Sequence, residues 1–272
     1  MPFPILRTPF VVLSEIISFL EPNEIVSASF CSKDVGRLLK RHYEQRKPLE
    51  WRLSMIDYDA MGRVSIKTSK DCKPIIVILA KHISQFKGHT LEDHTNGYER
   101  EFASSKRPVL YFNDQVLGTK WIVDYVTGLL TREVLDINGL IADRKGIWAI
   151  DWINNRQEKM LERFVWPKNP KYNNSNADET VDHVLRNARV PLFCTIDDNV
   201  SDDFKFNGKL GPMKQLFIRS YGHWVTLNNL MNFDSITIGV DGSRLSVPDL
   251  FSFLRHWRTG GSPPIDVSIP AF

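Results

Sequence analysis

Apolar positions in the first fifty residues recur at helical spacing. Leu13, Ile16, Ile17 and Leu20 stand at i, i+3, i+4 and i+7, a complete stripe for one helix face. Pro9 fits the first turn of that helix, where its missing N–H would have no partner in any case. Pro22 predicts the helix end, because the residue before a proline avoids the α region. A second helix is predicted from Asn23 as N-cap, carrying Ile25, Val26, Ser29 and Phe30. A third is predicted from Ser32, with Val35, Leu38 and Leu39 on one face. Three helices of this length bury only one side of themselves, so a unit of about 40 residues needs a partner or an adjoining domain.

From Trp51 to about Trp166 the period shortens. Val64 to Thr68 alternates as a half-buried strand does, and Pro74 to Ala80 is a continuous β-branched run that predicts a buried strand. Val109 to Phe112 predicts another. Trp121, Val123, Tyr125 and Val126 fit helix or strand, and Ile147 to Ile153 leans to strand. The stretch from Pro167 to Asn176 is polar and rich in turn formers, and predicts a linker or long loop.

Beyond it, helix and strand signals alternate. Helix is predicted at Val181–Asn187, Trp224–Met231 and Val247–Trp257. Strand is predicted at Val190–Ile196, Lys214–Arg219, Ser235–Val240 and Ile265–Ile269. Such alternation implies a mostly parallel sheet covered by helices. The units beginning at Leu216 and Ile236 repeat in outline, which points to a short, leucine-rich-repeat-like stack. The fold class is therefore α+β: an N-terminal three-helix unit, a β-rich middle, and a C-terminal βα-alternating body with a repeat-like character.

Composition changes this picture little. Of 272 residues, 42% are hydrophobic and 25% charged, ordinary values for a globular chain. Lys plus Arg is 35 against 32 for Asp plus Glu, and the resulting net charge of +3 gives no overall pull on nucleic acid or anionic membrane. Cys31, Cys72 and Cys194 are an odd, widely spaced set, which argues against a disulfide framework or zinc site and for a reducing compartment. Pro2, Pro4, Arg7 and Pro9 break the apolar run that a signal peptide requires, so the expectation is a cytoplasmic or nuclear protein with no membrane partner.

Candidate chemistry is sparse. His89, Glu92, Asp93 and His94 resemble a metal cluster in composition, but imidazoles five apart do not share a helix face. Asp197, Asp198, Asn199, Asp202 and Asp203 suggest a calcium loop, yet Asp202 and Gly208 stand where an EF-hand needs Gly and Glu, so a solvated turn is expected. His223 has no adjacent nucleophile. Basic residues on the third helix, Lys33, Arg37, Lys40, Arg41, Arg46 and Lys47, read as a solvated face rather than a nucleic-acid reader. Trp224 and Trp257 are expected to pack helices onto the sheet, although either could anchor a partner. No catalytic residue, metal ligand or cofactor site is expected.

A resemblance sharpens the reading. Thr8 to Leu20, then Leu20-Glu21-Pro22-Asn23-Glu24-Ile25 and Cys31-Ser32-Lys33, resemble an F-box, in which a Leu-Pro opening, a Leu-Ile-Leu stripe, a Leu-Pro-Pro-x-Asp-Leu element and a Cys-Lys pair follow in this order. Phe3-Pro4-Ile5-Leu6-Arg7 and Cys31-Ser32-Lys33 look most like the nematode group. Thr8 stands where that family has Leu, and Val35 or Gly36 where it has Trp. Leu216–Ile218, Trp224, Leu227, Leu230 and the run Val247-Pro248-Asp249-Leu250 through Trp257 to Gly261 are similar to the type-2 F-box-associated domain.

The resemblance implies a non-catalytic, substrate-recruiting subunit of a Skp–cullin–F-box ubiquitin ligase. Pro9, Leu13, Ile16, Ile17, Leu20, Pro22 and Ile25 would meet the Skp-type adaptor, and through it a cullin. The C-terminal body would hold a protein target. The implied organisation is an F-box at 1–48, a β-rich middle at 49–166, a linker or loop at 167–178 and an F-box-associated region at 179–272. The alternative is a non-catalytic scaffold outside ubiquitination.

Overall fold

The computed structural model describes residues 8–46, 51–58, 61–69, 73–86, 99–101, 107–140, 148–158, 160–166 and 177–260. Contacts divide the chain into two compact units, Met1–Val134 and Leu135–Phe272. The metal-like cluster at His89–His94, the turn-rich stretch 167–176, Cys72, Lys47 and the strand expected at Ile265–Ile269 lie outside the described residues.

Unit 1 begins with three helices, α1 (Phe10–Ser18), α2 (Pro22–Ser29) and α3 (Lys33–Gln45). The expected N-cap of α2 moves. Glu21 takes that position, its N–H donating to Glu24 Oε2 at 2.8 Å, and Pro22 becomes the first helical residue, where a proline loses nothing. Ser32 caps α3 as expected, its Oγ accepting from the Val35 N–H at 3.1 Å.

Behind the helices lie β1 (Arg52–Tyr58), β2 (Met61–Lys67) and β3 (Ile75–His82), paired antiparallel in sequence. Of β4 (Glu99–Glu101) and β5 (Val109–Phe112), β5 runs parallel to β3 and β4 pairs antiparallel on its far side. Val77, Ile78, Leu79 and Ala80 are buried in succession, which explains the unbroken apolar run of β3. Leu79, Val109 and Tyr111 form one cluster with Ile76, Ile83 and Phe86 packed against it.

The ambiguous segment around Trp121 is the helix α4 (Gln115–Leu130), capped by Asp114, whose Oδ1 accepts from the Leu117 N–H at 2.9 Å. Ile122, Val123, Val126, Leu129 and Leu130 are buried, a helical spacing that packs on β2 and β3. Gly62 lets α4 approach closely, because a Cβ there would collide with the Thr119 side chain.

Unit 2 contains β6 (Val134–Leu140), β7 (Arg163–Trp166), β8 (Phe193–Ile196), β9 (Leu210–Ile218) and β10 (Phe233–Val240). Every neighbouring pair is parallel, and the order in space is the order in sequence. This bears out the βα-alternating, repeat-like reading. The helices are α5 (Trp148–Arg156), α6 (Ala177–Asn187), α7 (Leu227–Asn232) and α8 (Val247–Arg258).

Two expectations fail here. The segment leaning to strand at Ile147–Ile153 is α5: Ala149, Ile150 and Ile153 are buried at i, i+1 and i+4, and Trp148 lies 6.1 Å from Trp152 one turn on. An apolar run of this length carries no decisive period. The helix expected over Trp224–Met231 starts later. Thr226 forms a capping box with Asn229, and Trp224 sits ahead of it in a 3-10 turn, Gly222–Trp224.

Candidate functional site

In unit 1 the candidate surface is α1. Six of its nine residues, Phe10 to Leu13 with Ile16 and Ile17, are aliphatic or aromatic, so two faces of the helix are apolar and only one can turn inward. Leu13 and Ile17 turn inward and are 4% exposed each. Ser14 goes with them, its Oγ 3.1 Å from His42 Nδ1 on α3. Burial, and then the Arg46 charge, hold the His42 pKa below its ordinary value.

The expected adaptor residues therefore divide. Leu13, Ile17, Pro22 and Ile25 are buried and hold the three helices together, while Pro9 and Ile16 face outward and Leu20 is half-buried. The outward face also carries residues that the stripe did not include. Val12, Ile16 and Phe19, at i, i+4 and i+7, are 47%, 40% and 84% exposed, with Phe10 and Val11 beside them. The signal for them was present in the sequence, as apolar residues off the predicted stripe.

α2 and α3 fix this surface to the rest of unit 1. Ser29 Oγ lies 2.8 Å from Tyr125 OH, and the Phe30 ring stacks on Tyr125 at 4.5 Å, which stacks in turn on Trp121 at 5.2 Å. Arg37, Lys40, Arg41 and Arg46 on α3 are exposed, as a solvated face requires. Arg37 pairs with Asp34 at 2.9 Å, and Arg46 lies 3.8 Å from Glu15 on α1.

In unit 2 the parallel strands bring their C-terminal ends to one edge, the usual place for loops that bind. Asp197, Arg219 and Asp241 follow β8, β9 and β10 there, each donating its N–H to the neighbouring strand. The aspartate-rich segment is a turn with Asn199, Asp202 and Asp203 exposed, as expected, while Asp198 turns inward. Asp198 is buried and accepts from Trp166 Nε1 at 3.0 Å, and Asp202 accepts from Arg244 at 2.6 Å. No group of side chains suited to a metal ion occurs among the described residues.

His223 Nε2 lies 2.9 Å from the Ser201 carbonyl oxygen, and Trp224 is buried edge-on against Phe204 and Phe206. Trp224 is thus a packing residue, while Trp257 is half-buried. Burial pushes the Cys194 thiol up to about 12, which leaves it protonated and unreactive.

The outer end of unit 2 is α8, capped by Ser246, whose Oγ accepts from the Asp249 N–H while Asp249 Oδ2 accepts in return. Those hydrogen bonds from Ser246 hold the Asp249 carboxyl below its ordinary pKa. Among α8 residues only Phe253 is buried. Val247, Phe251 and Leu254, again at i, i+4 and i+7, are 63%, 65% and 46% exposed.

A protein-family model described as F-box associated matches residues 209–265, from just ahead of β9 to beyond α8. No curated protein and no solved structure gives a significant match. The strand–helix–strand–helix segment built on β9 and β10 is thus the part of the chain similar to an F-box-associated domain, a description that implies a protein-interaction role for that segment.

Proposed function

We propose that the chain is the substrate-recruiting subunit of a Skp–cullin–F-box ubiquitin ligase. The observation that carries this is the F-box-associated domain at 209–265, joined in one chain to a three-helix unit whose first helix turns an apolar face outward. The three helices are then an F-box of the nematode type, at 1–48. α1 enters an apolar groove of the Skp-type adaptor, the helix-in-groove mode, and the adaptor links it to a cullin. Within the expected set Pro9, Ile16 and Leu20 make the contact together with Val12 and Phe19, while Leu13, Ile17, Pro22 and Ile25 support them from behind.

Unit 2 holds the protein target, and the chain's contribution to ubiquitin transfer is proximity, with the chemistry supplied by other subunits. The compartment is cytoplasmic or nuclear, where such ligases work. The test is capture of purified Skp-type adaptor by the full chain. Val12→Asp, Ile16→Asp and Phe19→Asp together should abolish capture while the circular-dichroism spectrum and melting curve stay unchanged. Undiminished capture by this variant overturns the reading. Capture without any effect of the chain on target half-life favours a scaffold outside ubiquitination.

A further inference from the structure

The exposed side of α8 is patterned as well as apolar. Two rows at i, i+4 and i+8 run side by side along it: Val247, Phe251 and Arg255, and beside them Leu250, Leu254 and Arg258. Each row is apolar for two positions and ends in a guanidinium. Leu250 is half-buried and the other five are exposed, while the side carrying Phe253 turns inward. Rows at this spacing are the ridges along which helices pack, and the groove between two of them takes one ridge of another helix.

The charge at the end of those rows is unbalanced. Arg219 and Arg244 of the same unit are paired with Asp241 and Asp202, whereas Arg255 and Arg258 make no ion pair among the described residues. The one carboxylate of α8, Asp249, is engaged with Ser246 at the opposite end of the helix. α7, which packs against α8, has no charged residue. The helix macrodipole supplies about half a negative charge at the C-terminal end, so two guanidiniums leave that end net positive.

We propose that this face docks a helical segment of a protein partner, one carrying an acidic residue followed by large apolar residues at i+4 and i+8. Running opposite to α8 and crossing it at about 50°, that ridge enters the groove between the two rows. Its apolar side chains meet Val247, Leu250, Phe251 and Leu254, and its carboxylate lies between Arg255 and Arg258. The opposite direction also sets the acidic residue in the partner's first turn, where the partner's own dipole favours it. A second copy of this chain does not fit, because its α8 would bring the same arginines and no carboxylate on this face. The inference rests on the reading of unit 2 as the part that holds a protein target, and it names the chemistry of that target's docking segment.

Selection on the full chain tests it, from a displayed library of alanine-rich helices of about 15 residues, long enough to hold a helix in isolation. Three positions spaced by four are randomised. Selected sequences should carry Asp or Glu at the first and Leu, Ile, Met or Phe at the other two. A peptide of the selected sequence should bind at least about tenfold more weakly to the double variant Arg255→Glu, Arg258→Glu and to Phe251→Asp, and its affinity should fall as salt is raised. These changes lie on the surface, so melting curves and capture of the Skp-type adaptor should stay as they are. Selection of no sequence, of sequences without the acidic position, or of peptides that bind every variant equally overturns the proposal. So does binding that appears only when the chain is ended at Gly260, which assigns the face to this chain's own end. A dimer in sedimentation that Phe251→Asp dissolves assigns it to a second copy and overturns it as well. A chain that binds the peptide yet fails to hold the adaptor overturns the ligase reading instead and leaves this one standing.

Discussion

α1 and α8 carry the same outward pattern, three large apolar residues at i, i+4 and i+7, yet they stand in opposite settings. α1 is fixed by what lies behind it: Leu13, Ile17 and Ser14 are buried against the bundle, and α2 is tied to α4 through Ser29, Phe30 and Tyr125. Its outward face is surplus to a helix already held. α8 buries a single side chain, Phe253, and its outward face makes up most of its apolar surface. Exposure alone does not separate the outward face of a firmly held helix from that of a loosely held one. What separates them is how completely the helix is held without it.

The sharpest break between the two faces of α1 comes from charge. Leu13→Asp or Ile17→Asp places a carboxylate on the buried face and should cost more than about 3 kcal/mol, enough to unfold unit 1 in a denaturant titration. Ile16→Asp, on the outer face of the same helix, should shift stability by no more than about 0.5 kcal/mol. Equal destabilisation by the two kinds of change would erase the distinction.

Phe233, fully buried in β10, should cost about 3–5 kcal/mol on replacement by Ala. Phe251→Ala, on the exposed face of α8, should shift stability by no more than about 0.5 kcal/mol. An effect between these two comes from the tie between α2 and α4. A double-mutant cycle with Ser29→Ala and Tyr125→Phe should return a coupling of about 1 kcal/mol, and a zero coupling would detach the bundle from α4. Ser32→Ala, which removes the α3 cap, should cost about 1 kcal/mol by the same titration.

The pH response should be the gentlest of these. His42 is held neutral in the fold with its pKa below the unfolded value of 6.5, so the unfolded chain takes up a proton first as the medium turns acid. The stability of unit 1 is fully present above pH 6.5 and declines as pH falls from there through the folded pKa. His42→Asn should flatten that slope in melting curves taken between pH 7 and pH 5, and an unchanged slope would assign it elsewhere.

Much of the architecture was legible because single elements carry their own period. The alternation of Val64–Ile66 and the β-branched run of β3 each point to a strand, and the spacing of Leu250, Phe251, Leu254 and Trp257 points to the helix α8 but not to its buried residue, Phe253. α5 was not legible, since Trp148 to Ile153 is apolar nearly throughout and only its neighbours decide which residues turn inward. The α2 cap was misplaced by two residues, because Asn23 is the better capping residue in isolation and Pro22 at the first turn outweighs it. At the candidate site, the stripe at Leu13, Ile16, Ile17 and Leu20 identified the helix but not its orientation. Which half of a mostly apolar helix faces out is set by the elements it packs against, and no local spacing contains that information.

The sequential order of the five parallel strands has a bearing on how the chain is made. Each strand meets the one synthesised just before it, so contacts are short in sequence and each loop closure is inexpensive in entropy. Such a sheet can grow in the direction of translation, each rung templating the next before the rest of the chain has emerged. The same feature makes the outer end the easiest place for inheritance to add or delete a rung, since nothing has to be threaded between existing strands.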